Sequence, residues 1–100
     1  MELSEEFEEE AQDELEHATL LSKRIAALGG IPKPIIKPAP IVSDPSKIVP
    51  ILLSMEKQAV RDYSIRVEQA HSIGLHGIAV ELENILADEQ DHHDILIMMI

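Results

Sequence analysis

Apolar side chains recur at alternating spacings of three and four residues in three stretches, which predicts three amphipathic helices. With the local stop signals, this pattern places the helices at about residues 4–28, 46–74 and 77–99. The predicted faces run through Leu3, Phe7, Glu10, Glu14, His17, Leu21, Ile25 and Leu28 on the first helix, through Val49, Leu53, Glu56, Val60, Tyr63, Val67 and Ala70 on the second, and through Ile78, Leu82, Ile85, Glu89, His92, Leu96 and Met99 on the third. Gly29 and Gly30 end the first stretch. The turn between the second and third helices, at Gly74 and Gly77, is so short that these two helices are expected to pack antiparallel. The sequence therefore predicts an all-α bundle.

The starts of the first two helices are predicted from capping residues and proline. Ser4 offers an N-cap for the first helix, and Ser43, Asp44 and Ser46 offer caps for the second. Pro50 is tolerable only within the first helical turn, which predicts that the second helix starts near Ser46 or Lys47.

Residues 29–45 contain five prolines and cannot continue a helix. Alternate prolines favour an extended course, and the segment is longer than the roughly 2–5 residues of a tight helical hairpin. We therefore expect a proline-rich crossover that lies against the bundle and joins two parallel helices. The alternative is a mobile linker between domains.

Ionisable residues interrupt the apolar face of each predicted helix near its middle. They are Glu14 and His17 on the first helix, Glu56 on the second, and Glu89 and His92 on the third. Burying carboxylates is costly unless something compensates their charge, and shared cations such as Fe or Mn would do so. We therefore predict that these five residues are metal ligands, with Glu10, one turn before Glu14, as a candidate accessory ligand.

The spacing of these residues favours a metal centre with two ions. Glu14 with His17, and Glu89 with His92, stand three residues apart, which places both side chains of each pair on one helical face. Two such pairs and a further glutamate match the ligands of di-iron carboxylate bundles. Zinc fits less well, because carboxylates outnumber histidines.

The remaining acids and histidines are expected to lie at the surface and not to bind the metal. The alternative reading of any single Glu-x-x-His pair is a solvated helical face, and His93 lies off the apolar face. Surface positions are expected for the other acids of the first helix region and for two histidines near the turn: Glu2, Glu5, Glu6, Glu8, Glu9, Glu16, His71 and His76.

Length and charge narrow the class of protein. One hundred residues predict a single domain, 1–100, and the net charge of −11 repels nucleic acid phosphates. The chain has no cysteine, which excludes disulfides and zinc–thiolate sites and fits a cytoplasmic protein. It has neither a signal-peptide pattern nor an apolar run of the roughly 20 residues that span a membrane.

The motifs resemble the ferritin-like superfamily, in particular its bacterioferritin and Dps-like branches. The resemblance rests on Glu14-Leu-Glu-His17-Ala18, on Glu56 with Tyr63, and on Glu89-Gln-Asp-His92. It implies that the three helices correspond to the second to fourth of the family bundle. It also implies that Glu14 and Glu89 bridge two irons, that His17 binds one iron, and that Glu56 and His92 bind the other. Tyr63 would lie near the centre, beyond the ligands.

Two departures from the family pattern carry further expectations. The family's first helix, which supplies a carboxylate to the iron beside His17, has no counterpart here. Three alternatives follow: the chain is a fragment, Glu10 replaces the missing carboxylate, or another chain completes the bundle. Because three helices leave apolar faces uncovered, association as a homo-oligomer or with a chain that supplies the missing helix is expected. Leu15 stands where haem-binding bacterioferritins carry methionine, so no haem is expected.

The function implied is oxidation of Fe²⁺ by O₂ or peroxide at a di-iron site, with storage or detoxification of iron. Mn or Zn could replace iron, and a manganese catalase-like or other di-metal oxidase is an alternative. A second alternative is an inactive structural or interaction module with an incomplete metal site. Direct nucleic acid binding is not expected, because the sequence has no basic tail.

Overall fold

A computed structural model of the chain describes residues 3–33 and 42–100. The described residues form three long helices and no strand, which confirms the predicted all-α class. The helices are α1 (Leu3–Ala27), α2 (Ile48–Ser72) and α3 (His76–Met98), with a short 3₁₀ helix at Pro45–Lys47. Among them, no helix has the length and apolar character needed to cross a membrane. The chain divides into two compact units, residues 1–39 and 40–100, and each is described by itself.

The first unit is built around α1. Its C-terminus is closed by Gly29, whose φ of +86° lies in the left-handed region that favours glycine. Gly30 then donates its backbone N–H to the carbonyl of Ile25 at 2.9 Å. The predicted stop is thus confirmed, but Ser4 lies inside α1 and is not the N-cap that the sequence suggested.

Part of the proline-rich segment, residues 34–41, lies outside the described residues, and so does the predicted crossover. Beyond it, the Asp44 carboxylate accepts hydrogen bonds from the backbone N–H and the hydroxyl of Ser46, at 3.0 and 2.8 Å. This cap starts the 3₁₀ helix, so α2 begins at Ile48, slightly later than predicted. Pro50 is the third residue of α2, where the missing N–H has no helical partner to lose.

The second unit contains α2 and α3, which pack against each other. Gly74, with a φ of +81°, reverses the chain, and the Leu75 N–H donates to the carbonyl of Ala70 at 2.9 Å. Close to this turn His71 contacts Glu83. The contact between Glu56 and His92 lies farther from it on both helices. The two helices therefore run antiparallel, as predicted.

The core of the second unit follows the predicted faces of α2 and α3, except that Ala79 is buried where the prediction has its neighbour Ile78, which is half-buried. Its buried apolar side chains are Leu53, Ala70, Ala79, Leu82, Ile85 and Leu96. The predicted α2 face also includes Val49, Val60 and Val67, which are half-buried. Two polar residues, Glu89 and His92, continue the α3 core between Ile85 and Leu96.

Candidate metal centre

Glu89 and His92 stand side by side in the buried face of α3. Only 2% of Glu89 and 3% of His92 is exposed. Because they are three residues apart on one helix, their side chains project from the same face, and Nδ1 of His92 lies 3.8 Å from Oε2 of Glu89. A carboxylate and an imidazole thus occupy positions where the flanking pattern would place aliphatic side chains.

Glu56 joins this pair from α2. His92 follows the α2–α3 turn by about as many residues as Glu56 precedes it, so antiparallel packing brings the two to the same level. Oε1 of Glu56 lies 3.7 Å from Nδ1 of His92, and 14% of the Glu56 side chain is exposed. Two carboxylates and one imidazole therefore converge within the second unit.

The separations around His92 fit a shared metal ion. At 3.7 and 3.8 Å they exceed the usual length of an N–H···O hydrogen bond, about 2.7–3.2 Å. They are shorter than two metal–ligand bonds of about 2.0–2.2 Å laid end to end, so one ion could contact the ring nitrogen and either oxygen. Carboxylate and imidazole ligands suit Fe, Mn and Zn, and the divalent charge would offset the buried carboxylates. The two carboxylates and the imidazole therefore fit the metals predicted from the sequence, Fe or Mn.

On α1, Glu14 and His17 form the second predicted pair. Oε1 of Glu14 lies 3.8 Å from Nδ1 of His17. The His17 side chain is buried, but 52% of the Glu14 side chain is exposed. The prediction that Glu14 lies on a buried face is therefore wrong, although the pair itself forms.

The buried face of α1 also contains a carboxylate that the sequence analysis assigned to solvent. Only 1% of Glu6 is exposed, and its Oε2 has no hydrogen-bond partner among the described residues. Glu6 precedes the buried Glu10 by one helical turn, and His17 follows on the same face. The predicted face ran through Glu14, Ile25 and Leu28, which are exposed. Glu5 and Glu9 have the same i, i+4 spacing but are exposed, so the sequence pattern carries no signal for this shifted face.

The remaining residues considered for the site are buried to different extents. Glu10, the candidate accessory ligand, is buried on α1. Tyr63 is half-buried on α2, two turns after Glu56, and its place near the metal remains a prediction. His93 is half-buried and its Nδ1 lies 3.1 Å from an oxygen of its neighbour Asp94.

An all-α chain in which antiparallel helices bring buried carboxylates and a histidine together defines a class of helical metal-binding proteins. Comparison with protein-family models makes the assignment narrower. The model of the Ferritin-like domain family matches residues 1–97, and the chain belongs to this family. This match does not distinguish the bacterioferritin and Dps-like branches. Comparisons with the curated proteins and with the solved structures found no match.

Proposed function

We propose that this protein is a ferroxidase of the ferritin-like family, which binds Fe²⁺ and oxidises it with O₂ or peroxide. The observation that carries the proposal is the convergence of Glu56, Glu89 and His92 within the second unit, with both carboxylates within 3.8 Å of one ring nitrogen. Family membership supports iron as the metal. The function extends to storage or detoxification of iron, and the bacterioferritin and Dps-like branches remain the proposed relatives.

The proposed ligands are the five residues predicted from the sequence. Glu56, Glu89 and His92 would hold iron on the α2–α3 pair, and Glu14 and His17 would hold it on α1, with Glu10 as an accessory ligand. Iron supplies one-electron chemistry, since each Fe²⁺ gives one electron to the oxidant. The chain's own contribution is to hold these carboxylate and imidazole side chains in place and to exclude water around Glu89 and His92.

We also propose that copies of the chain associate in the cytoplasm. Several large apolar side chains of the second unit are exposed, with the exposed fraction reaching 70% for Ile73 and 84% for Met98. Burial of some of these side chains against a second copy would stabilise an assembly. The absence of cysteine is compatible with a reducing compartment. The mass of the protein in solution, compared with 11.1 kDa per chain, tests the association directly.

The ferroxidase proposal is tested by measuring bound iron under anaerobic conditions and then the rate of Fe³⁺ formation after adding O₂ or peroxide. We expect His92→Gln and Glu89→Gln to lose bound iron and oxidation together. His93→Gln, one residue from His92 but outside the proposed ligand set, is the matched control and should behave like the wild type. Both glutamine variants of the buried residues conserve volume closely, and circular dichroism checks that they remain helical.

The results of these measurements distinguish a ferroxidase from the alternative functions. Iron binding without oxidation would overturn the ferroxidase but leave a metal-binding ferritin-like protein. Manganese that copurifies, with disproportionation of peroxide, would indicate the catalase-like alternative. No bound metal at saturating Fe²⁺, with a stable associated protein, would instead indicate a structural or interaction module.

A further inference from the structure

A second group of metal-ligating side chains lies at the α2–α3 turn, within the second unit. His71 is in the last turn of α2, His76 is the first residue of α3, and Glu83 follows on α3 two turns later. Along α2, His71 is about 22 Å from Glu56 at roughly 1.5 Å per residue, so it is separate from the proposed iron centre.

The two imidazoles present the same kind of nitrogen to each other. Nδ1 of His71 and Nδ1 of His76 are 3.2 Å apart, and the rings are tilted by 42° with their centroids 5.5 Å apart. Two nitrogens bound to one ion at about 2.0–2.1 Å stand about 2.8–3.4 Å apart for bond angles between 90° and the tetrahedral value. The observed separation lies within that range.

Glu83 determines which nitrogen of His71 is available. Its Oε1 lies 3.0 Å from Nε2 of His71. An ionised carboxylate only accepts hydrogen bonds, so Nε2 must be the donor and carry the proton. In the neutral ring this leaves a lone pair on Nδ1, directed toward His76. The same relay, in which a carboxylate orients a histidine through its distal nitrogen, supports histidine ligands in many metal sites.

We propose that His71 and His76 form a surface site for a divalent late transition-metal ion, of the Zn²⁺ or Cu²⁺ class. Two imidazole ligands without a carboxylate ligand suit these ions, whereas carboxylates outnumber histidines at the iron centre, so the two sites differ in ligand type as well as in position. Both Nδ1 atoms bind the ion, Glu83 is a positioning residue through Nε2 of His71, and water fills the open positions. The side chains of His71 and Glu83 are 45% and 48% exposed, so an ion reaches the site directly.

The test is Zn²⁺ binding by the full chain, stripped of metal, measured by equilibrium dialysis and metal analysis. We expect His71→Gln and His76→Gln each to lose one bound Zn²⁺ per chain relative to the wild type. His93→Gln is the matched control and should retain it. His71 and His76 are exposed and His93 is half-buried, and circular dichroism checks that each variant is as helical as the wild type.

A second measurement locates the ion. Bound Zn²⁺ should protect His71 and His76, but not His93, from carbethoxylation by diethylpyrocarbonate, as measured by peptide mass spectrometry. Glu83→Ala should weaken Zn²⁺ binding by about 10- to 100-fold. Glu83→Gln should restore part of this loss, since its amide oxygen still accepts from Nε2.

Two results would overturn the proposal. One is equal Zn²⁺ binding by His71→Gln, His76→Gln and His93→Gln, and the other is Zn²⁺ that leaves His71 and His76 fully reactive. Either would mean that the two rings simply share an N–H···N hydrogen bond. Neither result depends on whether the iron centre is active, because both are read from the histidines of the turn.

Discussion

On α1 and on α3 a glutamate and a histidine three residues apart stand at the same separation, 3.8 Å from carboxylate oxygen to Nδ1. Their surroundings differ. Glu89 and His92 are both buried, whereas 52% of the Glu14 side chain is exposed. The helical repeat alone determines the separation, but burial depends on the remaining faces of each helix. Two pairs with the same sequence spacing can therefore differ in how much the burial of their ionisable side chains destabilises the folded protein.

The largest expected difference concerns the leucine that follows each histidine by one turn. Leu96, after His92, is completely buried, and Leu21, after His17, is half-buried. Leu96→Ala should lower the free energy of unfolding by about 2–5 kcal/mol, because it leaves a cavity in the core. Leu21→Ala should cost clearly less, since it removes less buried area. Urea unfolding of the metal-free protein measures both, with the half-exposed Ile97→Ala as control. Equal losses at the two leucines would contradict the contrast.

The next largest effect concerns how much each pair contributes to stabilisation of the protein by Fe²⁺. At a free Fe²⁺ concentration of 100 times the dissociation constant, the wild type should gain about 2.7 kcal/mol in its free energy of unfolding. Glu89→Gln should abolish this gain, because water cannot reach this buried position to replace the lost carboxylate ligand. Glu14→Gln should reduce it only in part, since water can reach an exposed ligand position. Anaerobic thermal unfolding with and without Fe²⁺ checks this expectation. A larger loss for Glu14→Gln than for Glu89→Gln would reverse the ranking of the two pairs.

Without metal, the buried carboxylate should matter more to stability than the exposed one. We expect Glu89→Leu to lower the free energy of unfolding in chelator by about 1–3 kcal/mol, because it leaves the buried His92 without its carboxylate neighbour. Glu14→Leu, at an exposed position, should change it by no more than about 0.5 kcal/mol. Denaturant unfolding in the presence of chelator measures both variants. A gain of stability in Glu89→Leu would mean that burying this carboxylate costs more than its contacts contribute.

The smallest effects are expected where the helices end, and here the two units should behave alike. Gly29 and Gly74 have φ values of +86° and +81°, and no described atom lies within 4 Å of a Cβ added at either. Alanine at either position should cost about 1–2 kcal/mol through backbone strain alone. Gly77→Ala, inside α3 and without positive φ, should instead be neutral or slightly stabilising. Thermal unfolding of the three variants tests this, and a cost at Gly77 as large as at Gly74 would refute the explanation by strain.

Much of the second unit was predictable from the sequence because its pattern is nearly complete. Six of the seven positions on the α2 face are apolar or aromatic, which leaves Glu56 as an evident exception. On α3 the three–four spacing continues without a break through Glu89 and His92. A helix with so definite an apolar face can be oriented without knowledge of its partner.

The first unit was less predictable for the opposite reason. Around its middle, α1 is acidic on several faces, so Glu6 and Glu14 were assigned from an ambiguous pattern, and both assignments were wrong. The start of α2 was also placed too early, because a capped 3₁₀ turn at Pro45 resembles the first turn of an α-helix in sequence. The role of Tyr63 and the ligand set as a whole remain predictions.

Local sequence is enough to predict the three helices, the glycine stops after the first two, and the two Glu-x-x-His pairs, because these depend on interactions between residues a few positions apart. The packing of the helices is needed to place Glu56 beside His92 and to bring His71 together with His76 and Glu83. These contacts join side chains of α2 and α3 and depend on how the two helices pack. The same packing decides which carboxylates lose their water, and with it which parts of the motifs are suited to hold a metal ion.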